Sequence, residues 1–348
     1  MLKVGIIGAT GYVGAELLRL LLNHPKVKIE AISSVSYEGE EISNIYKNFY
    51  GVTNLVCETQ EEVIKKCEVI FAALPHGLSE EIAKLVYKEN KILIDLGADF
   101  RLEKEEEYKK WYGKDYKFKE LHKESIYALP EFNREKIKEY KIIANPGCYP
   151  TSIELALMPL LKKSLIDTNN IICDSKSGAT GAGRGLTLKS HYPELNENFS
   201  PYGIGAHRHT PEIEQCLSEI AEEKVQITFT PHLLPINRGI ISTIYCNPKK
   251  NSNEEIKLQE IYDLYKDFYK DEFFINILPL GDTASIKDVK YTNNCNISLH
   301  LNHRKDGIII VSAIDNMIKG AAGQAIQNMN IIWGFEEKEG LFLVSAGH

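Results

Sequence analysis

The sequence predicts an α/β protein of two domains, a dinucleotide-binding parallel sheet followed by an α+β half. Three observations predict it. The chain has 348 residues, too many for one ordinary core at about 150 residues per domain. It opens on a strand, a glycine turn and a helix, the order a pyrophosphate site needs. Buried strand-like runs then alternate with helical stretches up to residue 144, whereas the remainder is richer in strands.

Composition is that of a globular chain, with 43% hydrophobic and 26% charged residues. Asp and Glu outnumber Lys and Arg by 48 to 41, for a net charge of −7. That balance is a poor match for nucleic-acid phosphates or anionic lipid, so neither partner is expected. No apolar run reaches the roughly 20 residues that span a bilayer. The opening segment reads as strand and glycine turn rather than signal peptide, and a cytoplasmic location is expected. Seven Cys are scattered without a CxxC pair, which argues against a disulfide framework or a zinc site, and no metal is expected.

Lys3–Ile7 is strand-like, and Ala15–Leu22 is helical. Between them GATGYVG, residues 8–14, lets backbone amides approach a pyrophosphate while the helix start supplies partial positive charge. Gly8, Thr10, Gly11, Tyr12, Val13 and Gly14 are therefore expected at the cofactor. The alternative is a tight turn whose glycines serve packing alone. The next strand, Val27–Ile32, ends on Ser33 and Ser34, where an NAD-selective site usually carries Asp or Glu. Hydroxyls at Ser34 and Ser36 tolerate a 2′-phosphate, so NADP (NADPH) is expected. Val69–Leu74 is a buried strand; Leu74 and Pro75, at its end, are expected to border the cofactor. A helix over Ser79–Tyr87 separates it from the strand Ile92–Leu96, which runs into Gly97-Ala98-Asp99-Phe100-Arg101. The charged, aromatic stretch 103–124 reads as a solvated helical excursion.

The chemistry sits at Asn145-Pro146-Gly147-Cys148-Tyr149-Pro150-Thr151. A strand over 141–144 meets a Pro-Gly turn, and Pro150 suits a first helical turn. Cys148 is thus expected just ahead of a helix N-terminus, where dipole and amides favour a thiolate. The other six Cys lie in strand-like or helical surroundings and read as packing thiols. A proton partner is expected in Gly205-Ala206-His207-Arg208-His209-Thr210-Pro211-Glu212. Thr210 as N-cap and Pro211 as first residue start a helix to Ala221. His209 precedes it as general acid/base, with Glu212 three residues on to orient the imidazole. His207 is the alternative, and His232 and His76 are weaker ones.

Only seven cationic residues are Arg. Arg101, Arg184, Arg208 and Arg238 stand in turn motifs and are candidate clamps for an anionic substrate, against a role in holding turns. Ser177-Gly178-Ala179-Thr180-Gly181-Ala182-Gly183-Arg184 lacks the ending of a Walker loop; with Ser177 and Gly178 it is expected to face cofactor or substrate. Further strands are expected over 225–230, 239–246, 296–301 and 307–313, and a helix over 254–269. The segment 315–325, DNMIKGAAGQA, has small residues at close helical spacing and predicts a helix pressed on another backbone, returning to the first domain.

Taken together, GATGYVGAELLRLL, ALPHG, DLGADFRL, YALPE, NPGCYPTS, SGATGAGR, AHRHTPEI and DNMIKGAAGQAIQN resemble the N-acetyl-gamma-glutamyl-phosphate reductase family of arginine biosynthesis, in family order over nearly the whole chain. The resemblance implies a Rossmann-type domain (1–147 and 315–348), an α+β catalytic domain of the glyceraldehyde-3-phosphate-dehydrogenase type (148–314), and a homo-oligomer, dimer or tetramer. It implies a small-molecule acyl phosphate as substrate and NADPH as reductant. The acyl-accepting thiol falls on Cys148 and the acid/base pair on His209 and Glu212. Asn316 is assigned to the cofactor; Arg101, Asn145, Arg184, His207 and Arg208 are assigned to the substrate. Val35 stands where family members often carry Arg, which leaves the 2′-phosphate to Ser34 and Ser36. Two rivals are a reductase for a neighbouring acyl phosphate, aminoadipyl or aspartyl, and a non-catalytic dinucleotide-binding redox sensor.

Overall fold

A computed structural model describes residues 1–249 and 257–347. The chain forms two compact units, Met1–Pro146 with Ala321–Phe342, and Gly147–Gly320 with the segment from Leu343 on. Among the described residues no helix is long and apolar enough to cross a membrane.

The first unit is built on a seven-stranded sheet: β1 Leu2–Ile7, β2 Val27–Ser33, β3 Cys57–Glu58, β4 Val69–Ala72, β5 Ile92–Asp95, β6 Ser125–Tyr127 and β7 Ile142–Ala144. Their order is β3-β2-β1-β4-β5-β7-β6 and all pairings are parallel. Continuous apolar runs suit strands covered on both faces; all four residues of β4 are buried, and in β1 only Lys3 is exposed. The chain walks outward from β1 to β3, then returns to place β4 on the other side of β1. That reversal opens a crevice at the C-terminal strand ends, where ligands bind in such sheets. The helix Gly323–Ile332 belongs to this unit and packs on the helices Tyr12–Leu21 and Pro130–Ile137.

Residues 103–124 do form helices, Glu105–Tyr112 and Lys119–His122, but the excursion is not simply solvated. Tyr108 is buried and stacks on Tyr112 at 4.9 Å and near Tyr116 at 5.1 Å, forming a satellite core with Leu102. The charges line one face while aromatics four residues apart line the other.

The second unit carries a mixed sheet: β8 Ile171–Ser177, β9 Ser200–Pro201, β10 Ile227–Leu233, β11 Ile240–Cys246, β12 Ile275–Ile277, β13 Cys295–Leu301 and β14 Ile308–Ile314, in the order β12-β13-β14-β11-β8-β10-β9. The helix Cys148–Lys162 lies on β11 and β14. Hydroxyls make this approach close: that of Ser152 lies within hydrogen-bond distance of those of Ser242 (3.0 Å) and Ser312 (3.1 Å), and Ser175 bonds Ser242 (2.8 Å). Pro159 interrupts that helix and supplies no N–H to the carbonyl of Leu155. Tyr269 donates its hydroxyl to that carbonyl (2.6 Å), and Tyr265 to the next, Ala156 (2.5 Å). Tyr265 lies in the last turn of the helix Leu258–Phe268 and Tyr269 caps it; of the helix expected from 254, residues 254–256 lie outside the described residues.

The partition differs from the expected one at its edges. Residues 315–320 belong to the second unit because the Asp315 carboxylate accepts the amides of Tyr291 (2.7 Å), Met317 (2.8 Å) and Ile318 (3.2 Å). The tail from Leu343 also belongs there, where Ser345 donates to the Lys287 carbonyl (2.7 Å).

Candidate active site

The glycine turn of the first unit has the form of a dinucleotide cradle. Gly8 has φ +84°, a left-handed conformation that other residues adopt at a cost. A Cβ at Gly8 would run into the Ala73 carbonyl, and one at Gly14 into the Gly8 carbonyl. The chain is thus pared to backbone where β1, β4 and the helix start converge. Gly11 is the N-cap, Tyr12 and Val13 open the helix, and no acidic residue stands in its first turn, so the end is suited to an anion. The Thr10 and Ser34 hydroxyls lie 2.7 Å apart, both buried. Ser36 is exposed beyond them. Leu74 and Pro75 follow β4 directly, and Leu74 lies within 3.5 Å of the Cβ position of Gly8.

Two residues expected at the substrate are hydrogen-bonded within this unit. Arg101 is almost fully buried; Nε donates to the Asn145 carbonyl and Nη2 to the Leu96 carbonyl, both at 2.9 Å. Asn145 is fully buried, donates to the Ala321 carbonyl (3.2 Å) and accepts from Asn328 (3.2 Å). These donors hold strand ends together.

The Cys turn lies in the second unit. Gly147 is the N-cap and Cys148 is itself the first helical residue, one position further in than expected. Of the seven Cys, six are buried and Cys148 is partly exposed. Burial pushes the thiols of Cys57 and Cys67 up to about 11. Glu212, 1% exposed, accepts the Gly147 amide on Oε1 at 2.7 Å. A carboxylate from the helix Thr210–Ala221 thereby clamps the residue immediately before the thiol. The N-cap of that helix is His209, not Thr210. His209 takes α-helical backbone angles, and the Thr210 amide bonds back to the His207 carbonyl at 3.0 Å.

The two helix starts also meet through rings. Tyr149 lies edge-on to His209 at 6.0 Å and to His207 at 5.7 Å, and the two imidazole centroids are 4.9 Å apart. His207 is enclosed by Tyr149, Tyr202 and Phe229. Burial, then the neighbouring Arg208, pulls its pKa down to about 4. Its Nδ1 accepts the His209 amide at 3.1 Å, so the neutral ring carries its proton on Nε2. His207 is thereby a poor proton carrier near neutrality and a brace for His209. Tyr202 donates to the Tyr149 hydroxyl (3.0 Å), which donates to the His232 carbonyl (3.3 Å). Burial raises both phenols, Tyr202 to about 12, so both stay neutral donors.

Other expected residues are distributed differently. Ser177 donates to the Gly178 carbonyl (2.9 Å), and Gly178 packs against the Asn237–Arg238 backbone. The Asn316 amide bridges the loops, accepting from Gly239 N (2.7 Å) and donating to Thr180 Oγ1 (3.1 Å). Arg238 pairs with buried Asp315 at 3.5 Å and lies over the Tyr291 ring. Arg184 and Arg208 are exposed on loops. Tyr149, Tyr202, Phe229 and Gly320 were not anticipated. The signal for Gly320 was present in the small-residue run: a Cβ there would lie 2.7 Å from the Cys148 Cβ.

Comparison with known proteins decides the family. The chain is 69% identical over 345 residues, 99% of both chains, to a protein of Clostridium beijerinckii named N-acetyl-gamma-glutamyl-phosphate reductase. The chain belongs to the N-acetyl-gamma-glutamyl-phosphate reductase family. Residues 3–140 match the semialdehyde dehydrogenase NAD binding domain and residues 148–316 the semialdehyde dehydrogenase dimerisation domain. A dinucleotide cofactor and self-association follow from those matches, and the family is one of oxidoreductases. The fold is that of aspartate semialdehyde dehydrogenase II from Vibrio cholerae complexed with ASA (TM-score 0.74, 17% identity, 96% of this chain and 98% of that one). It is also that of aspartate semialdehyde dehydrogenase with NADP from Candida albicans (TM-score 0.73, 16% identity, 96% and 98%).

Proposed function

We propose that this chain reduces N-acetyl-γ-glutamyl phosphate to N-acetylglutamate 5-semialdehyde and phosphate, in arginine biosynthesis, through a thioester on Cys148. The observation that carries the proposal is the partly exposed Cys148 at a helix start, with Glu212 bonded to the amide just before it and His209 opening the adjacent helix. A thiolate at such a position is stabilised by the dipole and attacks the acyl carbon. The C–S bond forms as the C–O bond to phosphate breaks, with His209 giving the departing phosphate a proton. A reduced nicotinamide supplies hydride to the thioester carbonyl when bound. The resulting oxyanion is held near the helix-start amides and His209. Its collapse expels the Cys148 thiolate and frees the aldehyde. Glu212 fixes the Cys turn, and His207 fixes the backbone of His209. Arg184 and Arg208, exposed on loops, are the cations proposed to meet phosphate and carboxylate.

The cradle Gly8–Gly14 is fitted to the pyrophosphate. NADP is the cofactor because Ser34 brings a hydroxyl rather than a carboxylate to the end of β2, and a related fold from Candida albicans carries NADP. The assembly is a homodimer through the sheet face turned away from the Ser175–Ser242 network. There Tyr245 pairs in register with Ile172 and Ile309, and Tyr245 and Ile172 are exposed.

The test is reverse turnover with phosphate and each nicotinamide cofactor. N-acetylglutamate semialdehyde with NADP⁺ should be fastest. Faster turnover of aspartate semialdehyde or the longer N-acetyl aminoadipate semialdehyde would assign another substrate, and silence with all three would leave only a binding protein.

A further inference from the structure

The segment Asp95–Arg101 is the motif that the proposed chemistry leaves unused. Asp99 within it is fully buried and accepts three hydrogen bonds: from Gly77 N (2.6 Å), Ser79 N (2.9 Å) and the Tyr108 hydroxyl (2.9 Å). The first two donors come from the turn that follows β4 and opens the helix Ser79–Lys88. That helix has Leu78 as N-cap and no side-chain cap of its own. The Asp99 carboxylate, 20 residues further along, caps it instead. Charge-assisted bonds to a helix start are among the stronger ones a buried carboxylate can make. Ser79 donates its hydroxyl to Asp95 Oδ1 (2.7 Å), which also takes Gly97 N (2.9 Å). The ends of β4 and β5 are therefore sewn together by two neighbouring carboxylates.

Burying two acids side by side is costly, and an uncharged cap on Leu78 would hold a helix start more cheaply. What the arrangement fixes is the turn Leu74–Leu78. This turn begins at the sheet's reversal point, and its first residue lies against Gly8. Gly77, at φ +85°, lets the turn fold back onto Asp99. We propose that Asp99 is a positioning residue for the dinucleotide, acting through Gly77 N and Ser79 N to hold the Leu74–Leu78 turn as one wall of the cofactor crevice. This rests on the assignment of that crevice to the cofactor.

The test measures NADPH affinity by fluorescence titration, the Cys148 alkylation rate with iodoacetamide, and thermal stability, on wild type, Asp99→Asn, Gly77→Ala and Tyr108→Phe. Asp99→Asn puts an N–H where one amide now finds an acceptor, and should weaken NADPH binding by about tenfold or more. KM for NADPH should rise more than kcat falls, and the alkylation rate should stay at the wild-type value. Gly77→Ala strains the same turn without touching the carboxylate and should shift affinity the same way, which serves if Asp99→Asn does not fold. Tyr108→Phe removes a bond to the same Asp99 oxygen that takes Gly77 N but leaves both turn amides their acceptor, so it should lower stability and shift affinity less than Asp99→Asn. Wild-type affinity in folded Asp99→Asn or Gly77→Ala, or an equal loss in Tyr108→Phe, would overturn the inference. Wild type that binds no nicotinamide dinucleotide would instead overturn the crevice assignment itself.

Discussion

Gly320→Ala is the smallest change expected to disable the thiol. Gly320 is outside the left-handed region, so alanine suits its backbone and the conflict is steric alone. The added Cβ would stand 2.7 Å from the Cys148 Cβ, 3.1 Å from its Cα and 3.4 Å from Ile314 Cδ1. Carbon atoms rest about 3.5–4.0 Å apart, so the gap must open by roughly 1 Å. Gly320 cannot easily retreat. Its amide bonds the Asp315 carbonyl at 3.0 Å, in a turn that the Asp315 carboxylate clasps and Arg238 pairs with. The displacement therefore falls on Cys148. A misplacement of about 1 Å costs a reaction on the order of 100-fold, and overpacking of this kind costs about 1–3 kcal/mol of stability. The assay is reverse turnover beside thermal unfolding, with Cys148 alkylation as a probe of thiol geometry. A Gly320→Ala protein with wild-type kcat/KM and stability would refute the claim that this backbone approach sets the thiol.

Three further outcomes are expected. Glu212→Ala leaves the buried Gly147 amide without its acceptor, at about 1–3 kcal/mol; turnover should fall at least about tenfold with NADPH affinity unchanged, and an unaltered kcat would contradict the clamp. Ser34→Asp sets a carboxylate beside Thr10 where a 2′-phosphate is expected; KM should rise for NADP⁺ and fall for NAD⁺, and an unchanged ratio of the two would remove Ser34 from selectivity. Asp95 is pushed up to about 7 by its burial and then by Asp99, so the folded chain holds a proton that the unfolded chain sheds near pH 4. The stability it contributes is complete below about pH 4 and is lost as pH rises through 7. Asp95→Asn should flatten that decline and gain roughly 1–3 kcal/mol over wild type at pH 8 in urea unfolding; parallel pH profiles for the two proteins would be inconsistent with it.

What could be read from the residues was local. Strand, glycine turn and helix are contiguous at 2–21, and the Pro-Gly turn before Cys148 needs only its own neighbours, so both are legible in order. Gly14 is glycine for a reason a short segment already contains, its approach to Gly8, whereas Gly8 also has to clear the distant Ala73 carbonyl. What depends on distant partners was not legible. Arg101 sits in a turn, as expected, but only the arrival of β7 shows that its guanidinium is taken up by the Asn145 carbonyl. Tyr108, Tyr112 and Tyr116 lie in a charge-dense stretch whose composition reads as solvent-facing; their common face becomes visible only once it is packed. The small-residue run at 315–325 announced a close approach, but not that Gly320 abuts the nucleophile. His209 as N-cap depends likewise on its bond to His207, a ring that Tyr149, Tyr202 and Phe229 enclose from three separate segments.

The most direct measurement traps the acyl group. N-acetylglutamate semialdehyde and NADP⁺, supplied without phosphate, should give a burst of one NADPH per active subunit. Peptide mass spectrometry should then find the acyl group on Cys148, and added phosphate should discharge it. A Cys148→Ser protein that turns over at a comparable rate, or an acyl group carried by any other residue, would contradict the account.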